Sequence, residues 1–335
     1  MIDLSVLIPS YENADLLETC LLALRRAQAS HPETQIEIIV VDNGSQDGSV
    51  ARALATGMPI RVIALRRNRG FAAAVNLGLR IRRGRHVLLL NSDAILEPDV
   101  LARGVALLDG NEDIGVLGVA LLHPSRRAQR SVHAFPSPAT EVLPDVLVRA
   151  WRQIRARRRA SVRAAADGPA SLGSDVREVE AVRGAVFFVR GRAFDELGEL
   201  DEGYFFFLEE TDFCWRVRAS GQRVVYAPKL EAMHRLGASS KARAPQATRI
   251  EFERSLDRFL RVRRGHRSAR RVRRLRCARW IAGLLPLALI APFGSPARKR
   301  LRERGGLVLW HLRGRPVAPV LADILAHEAE RGTRI

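Results

Sequence analysis

The chain has 335 residues and carries 55 lysines and arginines against 36 acids, a formal net charge of +19. Its length suits one large α/β domain with appendages or two small domains, and so large an imbalance suggests an anionic partner: nucleic acid, an acidic membrane face or phosphorylated substrates. Cys20, Cys214 and Cys277 are odd in number and widely spaced, which excludes a disulfide framework and a zinc pattern and points to a reducing compartment.

In chain order, the apolar run at 4–8 reads as a first strand. It has no basic lead and is too short for a signal peptide. Residues 15–26 follow as a helix, with Leu16, Leu17, Cys20, Leu21 and Leu24 on one stripe. "IEIIVVD", at 36–42, is a second strand, and "NGSQDGS" is a turn that feeds a short helix. A third strand at 60–65, a helix at "FAAAVNLGLRI" and a fourth strand at 86–90 complete the series. Such alternation predicts an α/β fold with a mostly parallel central sheet flanked by helices. Ligands of such sheets sit at the carboxyl ends of the strands. The polar residues there are Ser10, Tyr11, Glu12, Asp42, Asn43, Asn68, Asn91, Ser92 and Asp93.

Residues 123–177 are basic, poor in large apolar side chains and punctuated by Pro and Gly. They read as an ordered excursion followed by a mobile loop, placed at about 145–177. Order resumes at "EVEAVRGAVFFVRG", a strand pair or a strand leading into a helix. A helix at 209–220, ended by Gly221, is followed by a strand at 223–226 and another leading to His234. From Thr248 a long Arg-rich helix pattern enters "CARWIAGLLPLALIAPFG", whose uncharged stretch is short for a spanning helix and holds Pro286 and Pro292. The arginines cluster at 152–163, 254–279 and 298–304, so the charge forms local patches.

Four places have residue types suited to chemistry. Asp93 ends "LLLNSD", where a carboxylate can hold a divalent cation that also binds phosphate oxygens; equally, Asn91 or Asp93 could cap the next turn. Asp42 ends "IIVVD" and could accept the imide N–H of a uracil or thymine ring, or serve only its own turn. Glu209, Glu210 and Asp212 crowd the first turn of a helix, where the dipole favours acids. Such crowding can also raise one pKa and suit a general base. His234 follows a short strand and is either structural or a ligand.

Taken together, "SVLIPSYEN", "EIIVVDNGSQDGS", "NRGFAAAVNLGLR", "VLLLNSDAILEPD" and the stretch from "VRGAVFFVRG" to "EAMHRLG" resemble, in this order, the family 2 glycosyltransferases of the GT-A fold. The likeness spans about residues 3–240 and is strongest to the bacterial rhamnosyltransferase-like branch. It implies an inverting, metal-dependent hexosyltransferase that moves a sugar from a nucleotide-diphosphate donor to a hydroxyl of a glycan or polyprenyl-linked acceptor in cell-surface polysaccharide synthesis. Rhamnose from dTDP-rhamnose is the first choice of donor, and a UDP-sugar the second. By the same resemblance Asp93 would be a direct ligand of Mg²⁺ or Mn²⁺ and His234 would complete the metal shell. Asp42 would contact the pyrimidine base, and Pro9, Tyr11, Glu12, Asn68, Gly70, Asn91 and Ser92 would line the nucleotide pocket. The family's base, usually the Asp of a Glu-Asp pair, falls on Glu210, a departure that keeps Glu209 as a second candidate. Ala72–Ala74, where relatives commonly have Gly, is a second departure.

The expected organisation is a GT-A domain at 1–245 and an Arg-rich helical tail at 246–335. The tail is read as attachment to an anionic membrane, the inner face of the bacterial cell membrane, with a buried helical hairpin as the plainer alternative. Two other classes compete. A nucleic-acid-binding protein would need aromatics among the basic residues or a known motif, and neither is present. An inactive scaffold on this fold would not need the Asp42, Asp93 and Glu210 set.

Overall fold

The computed structural model describes residues 1–142, 176–235 and 245–313. The expected insertion therefore lies almost wholly outside the described residues, as does the end of the tail. The chain divides into two compact units. One holds Met1–His133 and Arg177–Ser255; the other holds 134–142 and 256–313 of the described residues.

In the first unit, β1 (Leu4–Ser10), α1 (Ala14–Ser30), β2 (Ile36–Asp42), α2 (Ser49–Ala55), β3 (Ile60–Ala64), α3 (Phe71–Leu79) and β4 (His86–Leu90) alternate as the sequence predicts. Then come β5 (Ala94–Leu96), α4 (Val100–Asp109), β6 (Ile114–Leu122) and β7 (Val132–His133). In the second unit, α5 (Pro138–Val142) precedes the undescribed stretch. The first unit resumes with β8 (Arg177–Glu178), β9 (Ala181–Val182), β10 (Val186–Arg190), α6 (Gly191–Leu197), α7 (Glu209–Ala219) and β11 (Arg223–His234).

The main sheet runs β3-β2-β1-β4-β10-β6-β11-β5, with β8 beside β11. β1, β2, β3 and β4 pair in parallel, as do β6 and β11, and β10 is antiparallel to both of its neighbours. Six strands thus point one way. The apolar runs of the central strands are buried, as strands covered on both faces must be: every residue of β4, β6 and β10 is buried, whereas the edge strand β3 is only partly covered. This polarity gathers the strand ends. Ser10, Asp42, Leu90, Leu122 and His234 all end their strands at one edge of the sheet. β10 begins at that same edge.

Two elements differ from expectation. α1 runs on to Ser30, because Ala27 is also buried and the added residues suit a helix. Its N-terminus is capped from a distance: Asp47 Oδ2 accepts the Ala14 N–H at 2.9 Å. β11 is one strand, not two. Its register against β6 shifts between Ala227 and Glu231, around Pro228, so the missing N–H falls in an irregularity and does not end the strand.

The C-terminal helices are α8 (Pro245–Arg264), α9 (His266–Ala282), α10 (Leu284–Ile290) and α11 (Ser295–Leu312). Gly265, Gly283 and Gly294 break what the sequence suggests is one long pattern. The first part of α8 belongs to the first unit and the rest to the second. Within the second unit Phe135 stacks on Phe259, and Arg276 pairs with Glu141 at 2.7 Å. Leu256, Leu260, Val272 and Leu307 are buried, whereas α10 buries nothing. No helix among the described residues is long and apolar enough to cross a membrane.

Candidate active site

The β1 and β2 ends are laced together by side chains. Asp42 is 2 % exposed; its Oδ2 accepts the Gly44 and Ser45 N–H groups at 3.2 and 2.9 Å, and its Oδ1 accepts Ser45 Oγ–H at 2.5 Å. The carboxylate thus builds its own turn, and one lone-pair direction of Oδ1 is left for a further donor. Glu12, at φ +53°, donates its N–H to Ser45 Oγ at 2.8 Å and accepts the Gln46 N–H. Asn43 accepts the Arg69 N–H at 2.9 Å and donates to Gly70 O at 3.0 Å, while Asn68 accepts the Gly70 N–H at 2.9 Å. Gly70 sits at φ +92°, and a Cβ there would lie 2.6 Å from Phe205 O. The Phe71 N–H donates to that same oxygen at 2.8 Å. Pro9 is half-buried on β1, and Tyr11 packs with Phe205 and Phe206 against Ala247.

At the β4 end, the Asn91 N–H donates to Ala185 O at 2.9 Å, and the Ala94 N–H returns to Asn91 O at 3.0 Å. Ser92 Oγ receives Asn13 Nδ2, whose Oδ1 accepts Ser10 Oγ–H at 2.6 Å. Asp93 is then aimed by sheet register: Ala94 pairs with His234 across β5 and β11. Asp93 Oδ1 lies 3.3 Å from His234 Nε2, with the side chains 11 % and 8 % exposed. His234 Nδ1 lies 3.1 Å from Oε1 of buried Gln129.

The third group of residues heads α7. Phe207 and Leu208 both have positive φ, 74° and 68°. For bulky residues this is strained backbone that the surroundings must hold. The hold is visible: Phe206 O accepts Ser255 Oγ–H at 2.8 Å, and the Phe207 ring meets Phe252 edge-on. Asn76, buried in α3, fixes the approach by exchanging hydrogen bonds with Leu200 N and O at 3.0 and 2.9 Å. Asp212 is fully buried and bonded to Tyr204 Oη and Arg216 Nε, so its part is structural. Glu209 is buried, and its Oε2 has no hydrogen-bond partner; burial, with the Glu210 charge beside it, pushes its carboxyl well above the ordinary 4.5. Glu210 is half-buried; burial raises its carboxyl too, while backbone N–H bonds and the Arg183 charge work the other way.

Residues 5–164 match the profile of Glycosyl transferase family 2. That stretch, just under half of the chain, is similar to the family 2 glycosyltransferases. The chain is 27 % identical over 245 residues to the N-acetylglucosaminyl-diphospho-decaprenol L-rhamnosyltransferase of Mycobacterium tuberculosis, covering 69 % of this chain and 75 % of that protein. It is 31 % identical over 117 residues to the uncharacterized glycosyltransferase YfnE of Bacillus subtilis, and 35 % identical over 116 to a Drosophila melanogaster dolichyl-phosphate beta-glucosyltransferase. Those matches span only 29 % and 36 % of the two proteins. Among solved structures, a Pyrobaculum calidifontis mannosyltransferase in complex with GDP-Man and Mn²⁺ superposes with a TM-score of 0.55 at 16 % identity, over 93 % of this chain and 88 % of that one. With the sheet order above, that likeness gives the GT-A fold.

The structure gathers Asp42, Glu12, Asn68, Gly70, Asn91, Ser92, Asp93 and His234 at strand ends and loops of a single sheet edge. The contacts from Asn43 to Gly70, and from the adjoining Phe71 N–H to Phe205 O, lead to the loop that presents Glu209 and Glu210. Among the described residues no cluster of three or more His, Cys, Asp or Glu side chains could hold a metal. Asp93 and His234 offer two ligands, which suits Mg²⁺ or Mn²⁺, cations held by few protein groups and completed by substrate phosphates. Gln129 and Asn76 escaped the sequence reading. Gln129 is one amide in a run of arginines, and nothing in its neighbours distinguishes it.

Proposed function

We propose that the chain is an inverting glycosyltransferase that moves a sugar from a pyrimidine-nucleotide donor to a hydroxyl of a glycan or polyprenyl-linked acceptor, in cell-surface polysaccharide synthesis. Rhamnose from dTDP-rhamnose is the first choice, supported by the mycobacterial relative's name; a UDP-sugar is the second. The observation that supports the reading best is the Asp93–His234 pair, two largely covered side chains facing each other at 3.3 Å on the edge where α/β sheets bind nucleotides.

Asp42 Oδ1 accepts the base imide N–H while Ser45 holds the carboxylate in place. Pro9, Tyr11, Glu12, Asn68, Gly70, Asn91 and Ser92 shape the pocket around it. Glu210 is the base rather than Glu209: it is the more exposed of the two, and Arg183 favours its ionised form. Glu209, buried without a partner for Oε2, keeps its proton. Glu210 takes the proton of the acceptor hydroxyl, and that oxygen attacks the anomeric carbon. The bond from the anomeric carbon to the phosphate oxygen breaks, and its electron pair leaves with the nucleoside diphosphate. One displacement inverts the configuration. A divalent cation held by Asp93, His234 and the diphosphate would offset the charge growing on the leaving oxygen.

The basic helical unit is assigned the role of holding the enzyme on an anionic membrane, at the inner face of the bacterial cell membrane. In support, Arg267, Arg270, Arg271 and Arg274 share one face of α9 around a cavity of about 620 Å³ and make no ion pair among the described residues. Leu285, Leu289 and Ile290 of α10 are more than half exposed.

Glu210→Gln tests the chemistry. It is expected to leave nucleotide binding intact and lower turnover by about 10²–10⁴-fold, the usual worth of a general base. Turnover near wild type would move the base to Glu209 or remove it from α7.

A further inference from the structure

We propose that Gln129 is a positioning residue for the cation site: it fixes the His234 proton on Nδ1 and leaves Nε2 as a lone pair aimed at Asp93. The inference rests on the reading of Asp93 and His234 as cation ligands, and extends it to a side chain outside that pair.

The argument begins with the amide. Gln129 Nε2 lies 2.6 Å from His234 O and 3.2 Å from Leu122 O. Both are acceptors, so this atom must be the NH₂; a flipped amide would set one carbonyl oxygen against two others. Oε1 therefore faces His234 Nδ1, at 3.1 Å, and an amide oxygen only accepts. Nδ1 must donate. A neutral imidazole has a single N–H, so Nε2 is then bare. It faces Asp93 Oδ1 at 3.3 Å, and two lone pairs in a nearly dry setting repel unless a positive species joins them. The ring is left ready for a cation.

The loop after β6 is built to hold this amide. The Gln129 N–H donates to Leu121 O at 2.8 Å, and Gln129 O accepts Ser131 Oγ–H at 3.2 Å. Ser131 Oγ in turn accepts the Leu121 N–H at 2.8 Å. Gln129 thus ties the ends of β6 and β11 together and reads out on the one ring nitrogen that points away from Asp93.

The test measures Mn²⁺ binding to the full chain by electron paramagnetic resonance, alone and with UDP or dTDP, for wild type, Gln129→Met and Gln129→Glu. Met keeps the shape and loses the acceptor. Glu keeps an acceptor for Nδ1 but loses the donor to two carbonyl oxygens, so it is the less stable variant. A positioning role predicts Mn²⁺ affinity about 10–100-fold weaker in Gln129→Met, and close to wild type in Gln129→Glu despite its lower Tm. In metal-free protein, the ¹⁵N signal that disappears in His234→Gln should report Nδ1–H in wild type and a mixture of tautomers in Gln129→Met. Affinities that simply follow Tm, or a Met variant that binds Mn²⁺ like wild type, would overturn the role of Gln129 alone. Wild type that binds no Mn²⁺ with either nucleotide would overturn the cation reading and this inference together.

Discussion

At the scale of single residues, Glu209 is the clearest source of a pH effect. Its carboxyl is raised by burial and by Glu210, so the folded state binds its proton more tightly than the unfolded chain does. Below the ordinary value of 4.5 both states are protonated and there is no penalty. As pH rises past that value the unfolded chain ionises first, and folding stability falls until the folded-state carboxyl also ionises. Glu209→Gln removes this loss. Its Tm is expected to exceed that of wild type at pH 8, with the gain shrinking toward pH 5. A gain that is constant with pH would mean that Glu209 is not the titrating group. Asp42 matters to its turn through geometry: its carboxylate accepts three hydrogen bonds there. Asp42→Ala is expected to cost about 1–3 kcal/mol, since it leaves buried donors unmet, and to abolish nucleotide binding. Denaturant unfolding and calorimetry read the two effects separately.

At the scale of elements, the loop chain from β2 to α7 governs how the base is presented. Gly70→Ala places a Cβ 2.6 Å from Phe205 O on a residue at φ +92°, so the aromatic loop ahead of Glu209 and Glu210 must shift. Turnover is expected to fall by at least tenfold, since an ångström of misplacement is expensive in catalysis, with a smaller change in nucleotide affinity. A variant with normal kcat would show that the 205–208 loop does not depend on this contact. Most of these elements were legible in the sequence. β2 and β4 fall at the predicted bounds because their apolar runs are buried on both faces and end at polar turns. The sheet edge was legible for the same reason, and it placed Asp42 and Asp93 together; His234 joined them only through the family resemblance. What escaped is long-range. Asp47 caps α1 across the β2 turn, Asn76 grips Leu200 more than a hundred residues away, and Gln129 acts through a ring at the end of β11. Local pattern says nothing about such partners. β11 reads locally as two strands, and only the register shift against β6, around Pro228, joins them into one.

At the scale of the whole molecule, the formal charge of +19 is concentrated where catalysis is not. Like charges three and four residues apart on α9 repel, and an anionic surface relieves that repulsion at roughly 1 kcal/mol per arginine. Replacing Arg267, Arg270, Arg271 and Arg274 together with Gln is expected to abolish co-sedimentation with vesicles rich in phosphatidylglycerol while leaving donor binding unchanged. Retained sedimentation would move the tail from membrane anchor to structural appendage. The central claim, however, is that the Asp93 edge binds a pyrimidine diphosphate through a divalent cation. Calorimetric titration of UDP, dTDP and GDP, with and without Mn²⁺, into wild type and Asp93→Ala tests it most directly. The account predicts Mn²⁺-dependent binding of one pyrimidine diphosphate, weak binding of GDP, and loss of the metal dependence in Asp93→Ala; binding that ignores both Mn²⁺ and Asp93, or no binding at all, would contradict it.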